Sequence, residues 1–263
     1  MISFEKTFKL VIFLFFTAFI LIAVSIYNRP KQTVLNKPVK KNNDVAEKEV
    51  YIDGPVKKYS LQAEIFKLEN PRMTSIRNIA IDNENGNIGI VHANGWTEIP
   101  YKNGKILLGR GFVAKMRKQF DLKAIASIPK SLCAYNAYNN EIIYGKKGKY
   151  KLNVAIAEAS SMAYYKNKIL IIDKNTNQIL IFGLKNKNAL IINKIFIKGA
   201  RGVAAKDNFF YYSVENKIFK CNENLKTVVE YTLNVIIDDF TVSAKNEFLA
   251  VNKNQDVIYR FKF

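Results

Sequence analysis

The chain has 263 residues, 49% of them hydrophobic, enough for one large or two small domains around a full buried core. It carries 41 Lys and Arg against 22 Asp and Glu, a formal +19, but the lysines are spread over every segment. Diffuse charge lacks the one-sided stripe that tracking a phosphate backbone needs, so nucleic acid is not an expected partner. With His92, Cys133 and Cys221 as the whole stock of those residue types, no Ser-His-Asp or Cys-His set can be built unless His92 is its base, and no zinc site of ordinary ligands fits. No phosphate-cradling, dinucleotide or CxxC motif occurs, and no cofactor or metal is implied.

Leu10–Asn28 is a run of 19 residues without a charge, behind a short head containing Lys6 and Lys9. As a helix it spans a hydrocarbon core of roughly 30 Å. Two readings compete: an uncleaved signal anchor over residues 1–28, and a secretory signal peptide cut near Ala23-Val24-Ser25. The length of the run and the bulky Ile22, Val24, Ile26 and Tyr27 at the cut favour the anchor. No Cys near the end of the run offers a lipoprotein site. Arg29, Lys31, Lys37, Lys40 and Lys41 follow the span, and a plain count of flanking charge favours a cytoplasmic C-terminal part. Long domains translocate largely regardless of charge, so the expectation is a single pass through the inner membrane with the C-terminal domain in the periplasm.

Residues 29–58 hold Pro30, Pro38, Pro55 and the KKNND run at 40–44, with few large apolar side chains, and read as a flexible tether. From Tyr59 to Phe263 the texture is β: runs of four to seven apolar residues broken by Asn, Lys, Gly and Asp. In order come SLQAEIFKL at 60–68, IRNIAID at 76–82, NIGIVH at 87–92, WTEIPY at 96–101 and KILLG at 105–109. An irregular insertion over Arg110–Pro129 follows, including FVAKMRKQFDL at 112–122, readable as a helical turn or an irregular strand. Then SLCAY at 131–135, EIIYG at 141–145 and YKLNVAIA at 150–157 make a compressed unit.

The remainder is periodic. KILIID, NFFYYSV and EFLAVN begin at 168, 208 and 247, a step of about 40 residues. Each follows a short strand (SMAYY, GVAA, FTVSA) and precedes a third across a polar turn (QILIF, KIFKC, VIYRF). In two of the units a fourth follows, LIINKIFI and TVVEYTL. The turn at Asp173–Asn177 has the composition of a calcium loop without its bidentate Glu, and reads as a hairpin.

Four strands in about 40 residues resemble the broad β-propeller repeat families, with WD40-like, NHL-like and quinoprotein-like blades. The likeness implies an all-β fold: a small β-propeller of five four-stranded blades, with room in Arg110–Pro129 for a degenerate sixth. The last blade lacks its fourth strand, and 60–68 is expected to close the ring by filling that place, which removes an exposed edge. Cys133 and Cys221 then fall on different, non-adjacent blades, as free buried thiols.

In such a ring the residues entering the innermost strands gather at the channel mouth: Arg77, Ser131, Ser160 and Ser161, Arg201, Asp238 and Asp239. They read as a binding funnel for an anionic ligand, or as a lining in which Arg77 or Arg201 pairs with Asp238 or Asp239. Neighbouring positions on a strand face opposite ways, which argues against a two-carboxylate glycosidase pair at Asp238 and Asp239. Trp96, beside the Asn94-Gly95 turn, and Arg110, Phe112 and Arg117 in the insertion are candidate partner contacts. The expected function is a non-enzymatic scaffold docking on other cell-envelope proteins, as in motility, secretion, outer-membrane assembly or respiration. The alternatives are a binding module for a small anion or glycan in the central channel, and a degenerate propeller hydrolase or lyase.

Overall fold

The computed structural model describes residues 47–49, 55–68, 75–82, 86–92, 95–102, 105–106, 112–115, 121–129, 131–144, 148–253 and 255–263. The apolar run at 10–28 and residues 29–46 of the expected tether lie outside them. Among the described residues no helix is long and apolar enough to cross a membrane.

Three strands come first: β1 (Glu47–Glu49), β2 (Lys57–Leu61) and β3 (Glu64–Lys67). The first four-strand unit is β4 (Asn78–Ile81), β5 (Asn87–His92) and β6 (Gly95–Lys102), with β7 (Lys105–Ile106) and β8 (Phe112–Lys115) sharing the place beyond β6. The second is β9 (Leu122–Ile128), β10 (Ser131–Asn136), β11 (Glu141–Tyr144) and β12 (Lys149–Leu152). The third is β13 (Ala159–Tyr165), β14 (Lys168–Asp173), β15 (Gln178–Lys185) and β16 (Asn188–Phe196). The fourth is β17 (Ala200–Lys206), β18 (Phe209–Val214), β19 (Lys217–Cys221) and β20 (Thr227–Leu233). The fifth is β21 (Asp239–Val242), β22 (Glu247–Asn252) and β23 (Gln255–Lys262).

Burial follows position in the unit. KILIID of β14 is buried at every residue but Lys168, because units pack against both of its faces; NALIINKIF of β16, an outer strand, is only partly covered. The two-residue period divides β14 between its neighbours. Ile169 and Ile171 join a cluster with Tyr135, Ile142 and Tyr144 of the second unit, while Leu170 and Ile172 join Val203, Phe210 and Tyr212 of the fourth. Further apolar clusters join the fourth unit to the fifth, the fifth to the first and the first to the second. The clusters therefore run from unit to unit and close on themselves. The first strands β4, β9, β13, β17 and β21 likewise pack in a closed circuit.

The insertion is where sequence and structure part. Leu122–Ile128 is the innermost strand of the second unit, and Phe112–Lys115 adds to the first, so the insertion completes these two units and no sixth forms among the described residues. The second unit is a full four-strand sheet displaced by one strand from the sequence reading. Its outer strand β12 also runs parallel to β16, with Lys151 beside Asn188 and Leu152 beside Ala189, which fuses the second and third units into one sheet.

The closing segment is divided in two. β3 pairs antiparallel with β23, Glu64 beside Arg260, and supplies the missing outer strand of the fifth unit as expected. β2 instead runs parallel to β20 of the fourth unit, with Tyr59 stacked on Tyr231 at 5.7 Å, and β1 runs parallel to β16 of the third. The tether boundary drawn at 58 therefore falls inside β2, and Glu47–Glu49 is already part of the sheets. Cys133 and Cys221 are free and buried, in β10 and β19, with the third unit between them.

Candidate functional site

Polar side chains knit the five inner strands together at one end. Asn78 of β4 accepts a hydrogen bond from Ile125 N of β9 at 2.6 Å and donates through Nδ2 to Ser160 O of β13 at 3.1 Å. Ser161 accepts from Val203 N of β17 at 2.8 Å and donates to Asp239 Oδ1 of β21 at 2.5 Å. Asp239 Oδ2 accepts from Ile79 N of β4 at 2.8 Å, which completes the circuit. Bulges between Ala159 and Ser161 and between Ala200 and Val203 free backbone groups for these bonds. Gly202 N donates to Ser213 Oγ at 2.9 Å, and a Cβ at Gly202 would lie 3.1 Å from Asp239 Cα, so the close approach of β17 and β21 depends on glycine there. Asn78, Ser161 and Asp239 are fully buried. Burial pushes the Asp239 carboxyl well above its ordinary range, and the bonds from Ser161 and Ile79 only partly offset this.

This network and the small residues Ala80, Ala126, Ala163 and Ala204 leave only about 20 Å³ between the inner strands. One water occupies about that much. A glycan or organic anion therefore has no room between these strands.

A cavity of about 330 Å³ opens at the mouth, where β4, β9 and β13 begin. That is at the lower end of the roughly 300–1,000 Å³ typical of small-molecule sites. Its charged lining is Arg77, Lys123, Glu158 and Lys253, and Tyr135, Ala137 and Ile156 form an apolar wall. Asp121 receives Lys123 at 2.9 Å and Arg77 at 3.8 Å. Arg201 pairs with Asp238 at 3.3 Å, and Asp238 Oδ2 also accepts Lys253 N at 2.9 Å. Asp173 Oδ1 accepts the backbone N–H groups of Glu158 and Asn175, both at 3.2 Å. Lys174, in the β14–β15 turn, has its ammonium pKa lowered first by burial and then by Lys253, with Asp238 and Glu158 opposing, which puts both lysines and both carboxylates in one neighbourhood.

The mouth thus gathers Arg77, Ser160, Arg201 and Asp238, while Ser161 and Asp239 belong to the buried network beneath it. Asp238 and Asp239 do point apart, as strand alternation requires. Arg77 pairs with Asp121 rather than with either of them. Ser131 is misplaced by the sequence reading: it begins β10, the second strand, and β9 takes the inner position. Trp96 is half-buried against Ala80, Val91, Leu122 and Ile125, filling the joint between the first and second units. Phe112 begins β8, while Arg110 and Arg117 lie outside the described residues. His92 is buried with Nε2 3.0 Å from Thr97 Oγ1; burial, with Arg77 nearby, lowers its pKa and keeps it neutral. Sequence reasoning missed Asn78, Lys123, Glu158 and Lys253. A correct inner strand for the second unit would have exposed Lys123, and the rule that picked Ser160 extends to Glu158 two residues earlier.

No protein-family model and no curated protein matches the sequence. Solved structures do match the fold. A glutaminyl cyclase from Myxococcus xanthus superimposes with a TM-score of 0.58 at 7% identity, over 78% of this chain and 98% of that one. A calcium-binding protein, regucalcin, from Agrobacterium tumefaciens strain C58 gives a TM-score of 0.51 at 10% identity, over 78% of this chain and 95% of its own.

The fold is that of a β-propeller, and the units are its blades. The expectation of a non-enzymatic ring is corrected by the first of these matches: a named enzyme is built on this architecture, so a ring of short strands is no argument against catalysis. Among the described residues no three His, Cys, Asp or Glu side chains gather as a metal site would require.

Proposed function

We propose that this propeller binds a small anionic molecule at the mouth of its ring. The observation that carries the reading is the lining of the mouth cavity, where in about 330 Å³ Arg77, Lys123 and Lys253 outnumber the lining carboxylate Glu158, with Asp121 close to Lys123 but 3.8 Å from Arg77, while the space between the inner strands beneath is filled. Guanidinium and ammonium groups at a concave, partly apolar wall suit a carboxylate or phosphate, since charge-assisted hydrogen bonds are the strong ones. The test is thermal unfolding with inorganic phosphate, citrate and short carboxylates. A ligand at 100 times its Kd stabilises by about 2.7 kcal/mol, a rise of several degrees in a domain of this size. The reading predicts that rise in the native chain and its loss in an Arg77→Ala/Lys253→Ala double variant; a rise that survives in the variant, or none with any anion, refutes it.

In the cell, the same reading holds the propeller outside the cytoplasm on the inner membrane, through the uncharged run at 10–28. What supports this is the length of that run and its short basic head. A compartment-sensitive reporter fused after Phe263 checks it, and a cytoplasmic signal overturns it. Docking on envelope proteins is supported by Leu190, Ile192 and Phe196, which stay 42%, 46% and 41% exposed along β16. Copurification of a stoichiometric partner in mild detergent, lost on changing these three to Ser, is the corresponding check.

A further inference from the structure

Building on that binding site, we infer that the mouth cavity selects a zwitterion, a small molecule of the α-amino-acid class carrying an acid group and a protonated amine together. The observation is an imbalance of pairing on one wall. Three carboxylates near the mouth are committed. Asp121 holds Lys123 and Arg77, Asp238 holds Arg201 and the backbone of Lys253, and Asp173 holds the backbone of Glu158 and Asn175. Glu158 and Lys253 are different. Both line the cavity, and among the described residues neither side chain makes an ion pair or hydrogen bond, with each other or with a third group.

Two opposite charges that share a concave wall without neutralising each other present complementary sockets. A ligand bearing an acid alone satisfies Lys253 and Arg77 but meets the Glu158 carboxylate with no donor. A ligand bearing an amine alone meets the cations. A molecule with both groups on neighbouring atoms answers both sockets, and its side chain lies against Tyr135, Ala137 and Ile156. Glu158 is itself exposed, so water screens its socket, and forfeiting the amine's hydrogen bond costs at the low end for a charged group, about tenfold in affinity.

The experiment is calorimetric titration of the full chain, in detergent, with the proteinogenic amino acids singly. The tightest binder is then compared with its N-acetyl derivative, its amide and inorganic phosphate. The expected result is at least one amino acid bound about tenfold or more tighter than all three comparators. In Glu158→Gln the margin over the N-acetyl derivative should vanish while binding of that derivative is unchanged. In Lys253→Met the margin over the amide should vanish. If phosphate or the N-acetyl derivative binds as tightly as any amino acid, the zwitterion inference falls and the anion site stands. If amino acids, derivatives and phosphate all fail to bind, both fall.

Discussion

Asp239 offers the sharpest test of how the ring is held together. Replacing it with Ala removes the acceptor for two buried donors, Ile79 N–H and the Ser161 hydroxyl. The Ser161 hydroxyl can turn to Val203 O, so Asp239→Ala strands Ile79 N–H, and a buried group left unpaired costs about 1–3 kcal/mol. That is a measurable part of the roughly 5–15 kcal/mol that holds a domain folded. Asp239→Asn keeps the shape and an acceptor for Ile79, and its amide can donate to Ser161 while the serine turns to Val203 O, 3.2 Å away. The two substitutions should therefore separate. Their pH dependence separates them further. Burial raises the carboxyl pKa of the folded state, so the unfolded chain ionises first, near the ordinary value of about 3.9. Ionisation then favours the unfolded chain, and wild-type stability falls as pH climbs from there toward the folded-state pKa. Asn at 239 has no such loss, so its advantage over the wild type should grow with pH by up to about 1.4 kcal/mol per unit. Urea unfolding between pH 4 and pH 8, read from the fluorescence of the sole tryptophan, Trp96, measures both effects. A cost below about 1 kcal/mol for Asp239→Ala, or a wild-type-to-Asn difference equal at pH 4.5 and pH 7.5, would refute the account.

Ring closure makes a second claim. Arg260 is buried, donates through Nε to Glu64 of β3 at 3.0 Å and lies over the Phe66 ring at 5.1 Å, so Arg260→Ala should cost about 3 kcal/mol, and Glu64→Ala, which leaves the buried guanidinium without its carboxylate, should cost about as much. A midpoint shift in thermal unfolding no larger than that of an ordinary surface substitution, for either variant, would show that the pair is not the pin. The cysteines make a third. Both thiols are buried, and burial pushes Cys221 up to about 12, so neither should react with iodoacetamide in the native protein at neutral pH and both should react in urea. Mass spectrometry decides it, and native-state labelling of either Cys133 or Cys221 contradicts the packing.

The three C-terminal blades are legible because each inner pair of strands is a dense apolar run with a polar turn between, repeated at nearly constant spacing. KILIID announces itself through burial on both faces. β9 does not: LKAIASI has Lys123 at its second position, carries Ala124 and Ala126 where space at the axis is short, and follows a stretch that reads equally as helix. That one missed strand displaced the second blade and carried Ser131 to the wrong place. β1 and β2 were hidden for another reason, since parallel addition to an outer edge leaves no turn signal, and only Leu61 of β2 is buried. At the mouth, Arg201 and Asp238 were readable from their place before an inner strand. Glu158 and Lys253 were not, because their significance rests on lacking partners across a cavity, and Asn78 matters only once β4, β9 and β13 meet.

The pairing of β3 with β23 has a consequence for how the protein is made. The strand that completes the fifth blade leaves the ribosome before any blade exists, and its partner emerges only after the other four blades. While the four blades between are made the nascent chain carries β3 without its mate, Ile65 included, and the circle shuts only when β23 is free. Deleting residues 252–263 would therefore cost more than one strand: the fifth blade would lose β23 and, with it, the partner that holds β3, and the fifth-to-first joint would lose Ile258.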